Sequence, residues 1–192
     1  MRTILVTGGA GFIGSYLVNK FINDGINVVI VDILKSEGGI SFIHPNAIFL
    51  NYDLCDEKLY PQLDQFKFSA IYHLAANSSS ETSYDDSLFD IKTNSYGTCL
   101  IAKYCYEKKI PRFIYTSTVA VYGSFNGKIS ESNKISPNSI YGISKFSGEL
   151  FIQKWLKNSK TKFTIFRIFN TYGPGENLNF RKKGMVSIYA SY

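Results

Sequence analysis

Short apolar, β-branched runs recur along the chain and are separated by longer stretches of mixed polarity. The runs at 2–7, 27–31, 47–51, 68–73, 112–117 and 162–167 read as strands. Their apolarity is continuous rather than alternating, which predicts parallel strands covered on both faces. Helical spacing fits the stretches between them, notably 12–24, 87–108 and 140–158, and Gly25 is placed to stop the first. Alternation of this kind predicts an α/β chain. The sheet is doubly wound and mostly parallel, in three α/β/α layers, with ligands at the carboxyl ends of the strands. The polar 123–139 loop carries Gly127 and Pro137 and predicts a mobile segment over such a site.

Composition narrows the setting. With 192 residues and 45% hydrophobic content, the chain can bury a substantial core, and a single domain over 1–192 is expected. No apolar run is long enough for a membrane span, and Met1 leads straight into a strand, so neither membrane nor signal peptide is expected. Cys55, Cys99 and Cys105 are odd in number and lack metal or redox spacing. They read as reduced thiols of a cytoplasmic protein, with no metal. The net charge of +6 gathers partly at Lys154, Lys157, Lys160 and Lys162, then Arg181, Lys182 and Lys183. Nucleic acid is one reading of that charge. No recognition module accompanies it, so a solvated basic surface is preferred.

The chemistry begins at 7–14, where Thr-Gly-Gly-Ala-Gly-Phe-Ile-Gly follows the first strand and opens the first helix. Gly8 permits the tight turn, Gly11 lets backbone approach a pyrophosphate, and Gly14 lets helix and strand pack closely. The helix start favours anionic phosphates through its free N–H groups and dipole. A ligand-free glycine turn is the alternative; the strand before and helix after argue against it. Asp32 closes the second strand and is placed to accept ribose hydroxyls of NAD and to repel the extra phosphate of NADP. Lys35 is the basic residue nearby, and Asp32 could also be an ordinary strand-end turn residue.

Far downstream, Tyr141 and Lys145 stand four residues apart on a predicted helix. A free tyrosine titrates near ~10 and is a poor base at neutral pH. An adjacent ammonium and a cationic nicotinamide ring would favour its phenolate. Beside a dinucleotide, that pair points to proton abstraction from an alcohol coupled to hydride transfer.

These motifs resemble the extended short-chain dehydrogenase/reductases, in particular the NAD-dependent epimerase/dehydratase group that acts on nucleotide sugars. The likeness rests on 7–14, Asp53-Leu54, the His-Leu-Ala-Ala run at 73–76, Asn94, Thr-Ser-Thr-Val-Ala-Val-Tyr-Gly at 116–123, the 141–145 segment, Arg-Ile-Phe-Asn at 167–170 and Tyr-Gly-Pro at 172–174. The resemblance implies a Rossmann fold, NAD as cofactor, a UDP-sugar as substrate and a homodimer formed through the two long helices. It implies that Asp53 contacts adenine, that Leu74, Ala75 and Ala76 line the cofactor, and that Asn94 steadies the active-site helix. Phe12, Ile13, Ile33, Leu54, Thr116 and Ile168 complete the implied cofactor lining. Thr118 matches the residue that holds the substrate hydroxyl, Tyr141 the acid/base, Lys145 the grip on the nicotinamide ribose, and Asn170 a residue near the substrate. His73 and Cys99 read as structural.

Subclasses are separated by the same resemblance. Sugar dehydratases carry an Asp-Glu pair after the catalytic Thr, and this chain has Val119-Ala120 there. A 4-epimerase is therefore preferred over a dehydratase, then a reductase, with an inactive NAD-binding module as the non-enzymatic alternative. Family members run well beyond 192 residues and close a C-terminal lobe over the nucleotide-sugar. The apolar 184–192 segment reads only as the start of a further helix, so most of that lobe is expected to be missing.

Overall fold

A computed structural model describes residues 2–35, 39–78, 80–174 and 176. Six strands alternate with helices: β1 (Thr3–Thr7), α1 (Phe12–Asn23), β2 (Asn27–Asp32), β3 (Ile48–Asn51), α2 (Leu59–Leu63), β4 (Phe68–His73), α3 (Ser80–Asp85) and α4 (Ser87–Asp90). There follow a π-helical turn (Ile91–Gly97), α5 (Thr98–Glu107), β5 (Arg112–Thr118), a 3₁₀ turn (Val119–Tyr122), α6 (Ile140–Leu156) and β6 (Lys162–Ile168). The strands form one sheet in the order β3-β2-β1-β4-β5-β6, every pair parallel, as the apolar runs predict. The order reverses between β1 and β4, and a crevice opens at the carboxyl ends of such a pair.

Successive side chains of a strand face opposite layers. Ile4 and Val6 of β1 join Val28, Ile30 and Ala70 beneath Val18 of α1. Leu5, Val29, Ile71, Phe113 and Tyr115 join Ile101 and Cys105 of α5 and Ile152 and Leu156 of α6. Each face thus has its own core, and each fully buried aliphatic side chain contributes about 1.5–3 kcal/mol.

One expectation needs correction. The helix anticipated over 87–108 is broken into α4, the π turn and α5, because Asn94 turns its amide onto the backbone of Asn77, at 2.9 and 3.0 Å. A widened turn of this kind is a recurrent feature of functional sites. The short helices α2 and α3 and the two-sided cap of the 123–139 loop were not anticipated either. That loop is tied across its base by Ser136 N–H to the Val121 carbonyl (3.0 Å) and by the Asn138 amide to the Ser124 hydroxyl (2.8 Å). The helix start expected at 184–192 and the basic residues at 181–183 lie outside the described residues. Among the described residues no helix is long and apolar enough to cross a membrane.

Candidate active site

The glycine motif builds a cradle by backbone alone. Gly8 sits at φ +70°, and a Cβ there would lie 2.6 Å from the Ala75 nitrogen; at Gly14 it would lie 2.1 Å from the Gly8 carbonyl oxygen. Neither position can carry a side chain. Gly11, by contrast, is tight only against the Gly8 carbonyl, at 3.3 Å. Its remaining surroundings are open, as a cradle for a diphosphate requires. The first-turn N–H groups of α1, at Phe12, Ile13 and Gly14, have no carbonyl within the helix to reach and form the donor end of that cradle. Phe12 packs edge-on against Tyr16, with ring centroids 5.9 Å apart, and lies close to Gly173. The Tyr16 hydroxyl donates to the Pro174 carbonyl at 2.6 Å, which draws the Tyr-Gly-Pro segment over α1.

Asp32 is tied to the same loop. One carboxylate oxygen accepts the Ala10 N–H at 3.0 Å and the other the Leu34 N–H at 2.9 Å. Ile33 is exposed beside it. Asp53 accepts the Cys55 N–H at 2.8 Å and lies 3.4 Å from the Lys92 ammonium. Leu54 is buried in the core, so its side chain serves packing rather than the crevice. Leu74, Ala75 and Ala76 follow β4 on the far side of the reversal, and Ala75 N–H donates to the Thr7 hydroxyl at 3.3 Å. Thr116 donates to the His73 carbonyl at 3.4 Å. Ile168 ends β6, and Asn170 is exposed just beyond it.

The catalytic candidates come together through α6. Ser139 caps this helix by accepting the Gly142 N–H at 3.0 Å. A Cβ on Gly142 would meet the Ala120 carbonyl at 2.7 Å, so its absence lets the first turn of α6 press on the 3₁₀ turn after β5. That contact sets the Tyr141 phenol beside Thr118 at the end of β5, near enough for the Thr118 hydroxyl to act on it. Burial pushes Tyr141 up to about 12, against the opposing pull of Thr118, and Asp90 adds to the rise. The expectation of a lowered tyrosine is therefore not met by the protein's own groups, because Lys145 turns its ammonium over the Tyr115 ring, 4.3 Å from the centroid. Lys145 is 2% exposed, and burial pushes it down to about 7, with Asp90 and Glu149 resisting.

Several buried polar residues stand behind this pair. His73 is fully buried and bonded at both ring nitrogens, to the Thr7 hydroxyl (2.6 Å) and the Thr98 hydroxyl (2.8 Å), and it stacks on Tyr115. Asn94 is fully buried; its amide nitrogen reaches Asp90 and Ser144, each at 3.1 Å, besides Asn77. It steadies the helix and has no amide group left for a ligand. Glu149 receives a two-pronged Arg167 guanidinium at 3.0 and 2.7 Å and the Ser117 hydroxyl at 2.5 Å. Arg167 also reaches the Tyr122 hydroxyl at 2.8 Å. An acidic residue four positions before Asn94 and another four after Lys145 share faces with them. That spacing was the available signal for Asp90 and Glu149.

The chain matches the profile of the NAD dependent epimerase/dehydratase family over residues 4–191. A protein of Methanocaldococcus jannaschii described as a putative UDP-glucose 4-epimerase is 34% identical over 97% of this chain and 61% of its own length. The dTDP-glucose 4,6-dehydratase of Streptomyces niveus is 32% identical over 89% of this chain and 54% of its own. The crystal structure of UDP-glucose 4-epimerase with UDP-glucose from Thermotoga maritima superposes with a TM-score of 0.90, at 33% identity, over 98% of this chain and 62% of that one. The UDP-glucose 4-epimerase of Thermus thermophilus in complex with NAD gives 0.89 at 27% identity, over 98% of this chain and 60% of that one. This chain spans roughly half to three fifths of the length of such relatives.

Proposed function

We propose, from the premise that this chain belongs to the NAD-dependent epimerase/dehydratase family, that it is the cofactor-binding and proton-handling part of a nucleotide-sugar 4-epimerase. The observation that carries the reading is that Thr118, with Tyr141 beside it, lies at the carboxyl end of β5, the same edge of the parallel sheet at which the Gly8–Gly14 cradle follows β1. The chain fits NAD by its own groups: Gly8, Gly11 and the start of α1 would hold the diphosphate, and Asp32 the adenosine ribose. NAD bound there would supply reversible hydride acceptance, the chemistry that inverting a sugar carbon through its ketone requires. Thr118 holds the sugar hydroxyl, and the Tyr141 oxygen takes its proton and gives it back. Lys145 grips the nicotinamide ribose and supplies the positive charge that a phenol held at about 12 needs in order to yield its proton.

Epimerisation is preferred to dehydration because Val119-Ala120 follows Thr118 and offers no acid for eliminating water. Relatives of both kinds match the chain, so this side-chain chemistry decides the preference. The reading takes 1–192 as one NAD-binding domain of a cytoplasmic homodimer. Exposed Tyr106 on α5 and Ile143, Leu150 and Phe151 on α6 support the pairing. UDP-glucose and its 4-epimer are the substrates to try first, since the matched epimerases carry that name.

The test uses calorimetry of NAD on this chain and a coupled UDP-galactose assay on a protein of the relatives' length containing it. The expected results are NAD binding by the chain, and interconversion that falls about a hundred- to ten-thousand-fold in Tyr141→Phe. A 4-keto-6-deoxy product, or full activity of Tyr141→Phe, would overturn the reading.

A further inference from the structure

The helix carrying Tyr141 and Lys145 lies against two buried carboxyl groups that are compensated in different ways. Glu149 has its own cation in Arg167, at 2.7 Å. Asp90 is equally buried, at 0% exposure, yet among the described residues no Lys, Arg or His nitrogen lies within 4.0 Å of it. Its donors are neutral: the Ser83 hydroxyl at 2.5 Å, the Asn94 amide at 3.1 Å, and the Ser144 hydroxyl. Neutral donors solvate a charge without cancelling it. Lys145 is the reciprocal case, a buried ammonium that faces the Tyr115 ring and has no ion pair within 4.0 Å among the described residues. Ser144, its chain neighbour, bonds Asp90 directly, so the two lone charges belong to adjoining turns.

We propose that Asp90 is a positioning residue whose charge keeps Lys145 in its ammonium form. The role rests on the reading that Tyr141 and Lys145 are the proton-handling pair. The groups facing Lys145 can be named from every side. Tyr141 and Glu149 share its helix, Asp90 comes from α4, Tyr115 from β5 and His73 from β4, with Arg167 of β6 bound to Glu149. His73 is held neutral, down at about 3, by burial and then by Lys145 itself. Arg167 answers Glu149. Asp90 is left as the anion whose field is free to act on Lys145. Burial drives Lys145 down to about 7, and the largest opposing influence is Asp90, ahead of Glu149. Without that carboxylate the lysine would be an amine at neutral pH, and Tyr141 would lose its nearby cation. Asp90 also raises Tyr141, which runs against phenolate formation. Its service to catalysis therefore passes through the lysine and not through the tyrosine.

The test is an NMR titration of lysine Cε and Nζ resonances in the 192-residue chain, with Lys145 assigned by its loss in Lys145→Met. Asp90→Asn keeps the shape and removes the charge; it is expected to lower the Lys145 midpoint by about 1 pH unit or more. Ser144→Ala removes a hydrogen bond and keeps the charge, so it is expected to leave the midpoint near the parent value. An unmoved midpoint in Asp90→Asn overturns the proposal, and so does an equal fall in Ser144→Ala, which would mean that register and not charge matters. Should Asp90→Asn fail to fold, the Asp90 Cγ resonance of the parent chain still decides the matter. It is expected to step at the Lys145 midpoint, and its silence there overturns the idea. No turnover enters these readings, so their failure leaves the epimerase assignment standing.

Discussion

The two sides of the sheet to which the proposal assigns nucleotide binding and catalysis handle polarity in opposite ways. Around β1–β3 and α1, recognition comes from backbone shape: two glycines that admit no side chain, a helix start, and Asp32 braced by two backbone N–H groups. Around β4–β6 and α4–α6, the chain buries His73, Asp90, Lys145 and Glu149, all at 2% exposure or less. Burying ionisable groups is costly, and replacing such pairs by apolar residues is often neutral or stabilising. The catalytic side therefore keeps its charges at the expense of stability, whereas the nucleotide side reaches its ligand through geometry that titrates little. The two sides should accordingly fail in different ways.

The largest expected effect lies on the catalytic side. Arg167→Ala strands the Glu149 carboxylate and is expected to lower unfolding free energy by about 3–5 kcal/mol in urea denaturation. Replacing both partners by Met and Leu should restore most of that loss; a double variant as weak as the single one would contradict the charge argument. Next comes cofactor choice. Asp32 would face the extra phosphate of NADP, and one such pair of charges costs from ~1 kcal/mol in water to ~4 kcal/mol where partly shielded. Calorimetry should show NAD binding several-fold or more tighter than NADP, and equal affinities would remove Asp32 from this role. Gly14→Ala tests the backbone cradle. Its methyl would overlap the Gly8 carbonyl, so a stability loss of about 1–3 kcal/mol is expected together with lost NAD binding.

Legibility in the sequence follows the same division. The parallel sheet and its six strands could be read because buried parallel strands leave continuous apolar runs, as in Ile4-Leu5-Val6 and Val28-Val29-Ile30-Val31. The glycine cradle could be read because a backbone that tolerates no side chain must be written in glycine. Asp90 and Glu149 had only their four-residue spacing from Asn94 and Lys145 to mark them, and Ser83 and Ser144 had nothing, because most of the partners involved lie on other elements. The Asp90–Ser144 bond spans 54 positions, and the Ser117–Glu149 bond 32. No local pattern marks such pairs. The tyrosine's upward shift escaped for a related reason: spacing places Lys145 one turn from Tyr141, but only packing against Tyr115 decides where its ammonium points.

The smallest expected effect separates the two sides by pH. His73 is lowered from its ordinary 6.5 to about 3 in the folded protein, by burial first and by Lys145 second. Between those two values the unfolded chain holds a proton that the native chain refuses. Stability must then rise with pH through that window, and be lost as pH falls through it. The slope from one such group approaches about 1.4 kcal/mol per pH unit, and the fall from 6.5 to roughly 5 comes to roughly 1.5 kcal/mol. Lys145 works in the same sense in a different window. Its midpoint near 7 lies below the ordinary 10.5, so stability should climb again as pH rises above neutrality. Urea midpoints measured in mildly acidic buffers should slope in the parent chain and flatten in His73→Gln, which retains a donor and an acceptor for Thr7 and Thr98. Gly14→Ala changes no titrating group, so it should keep the parent slope while starting from lower stability. A parent slope unchanged by His73→Gln would place the acid sensitivity elsewhere and undo the contrast between a geometric side and an electrostatic one.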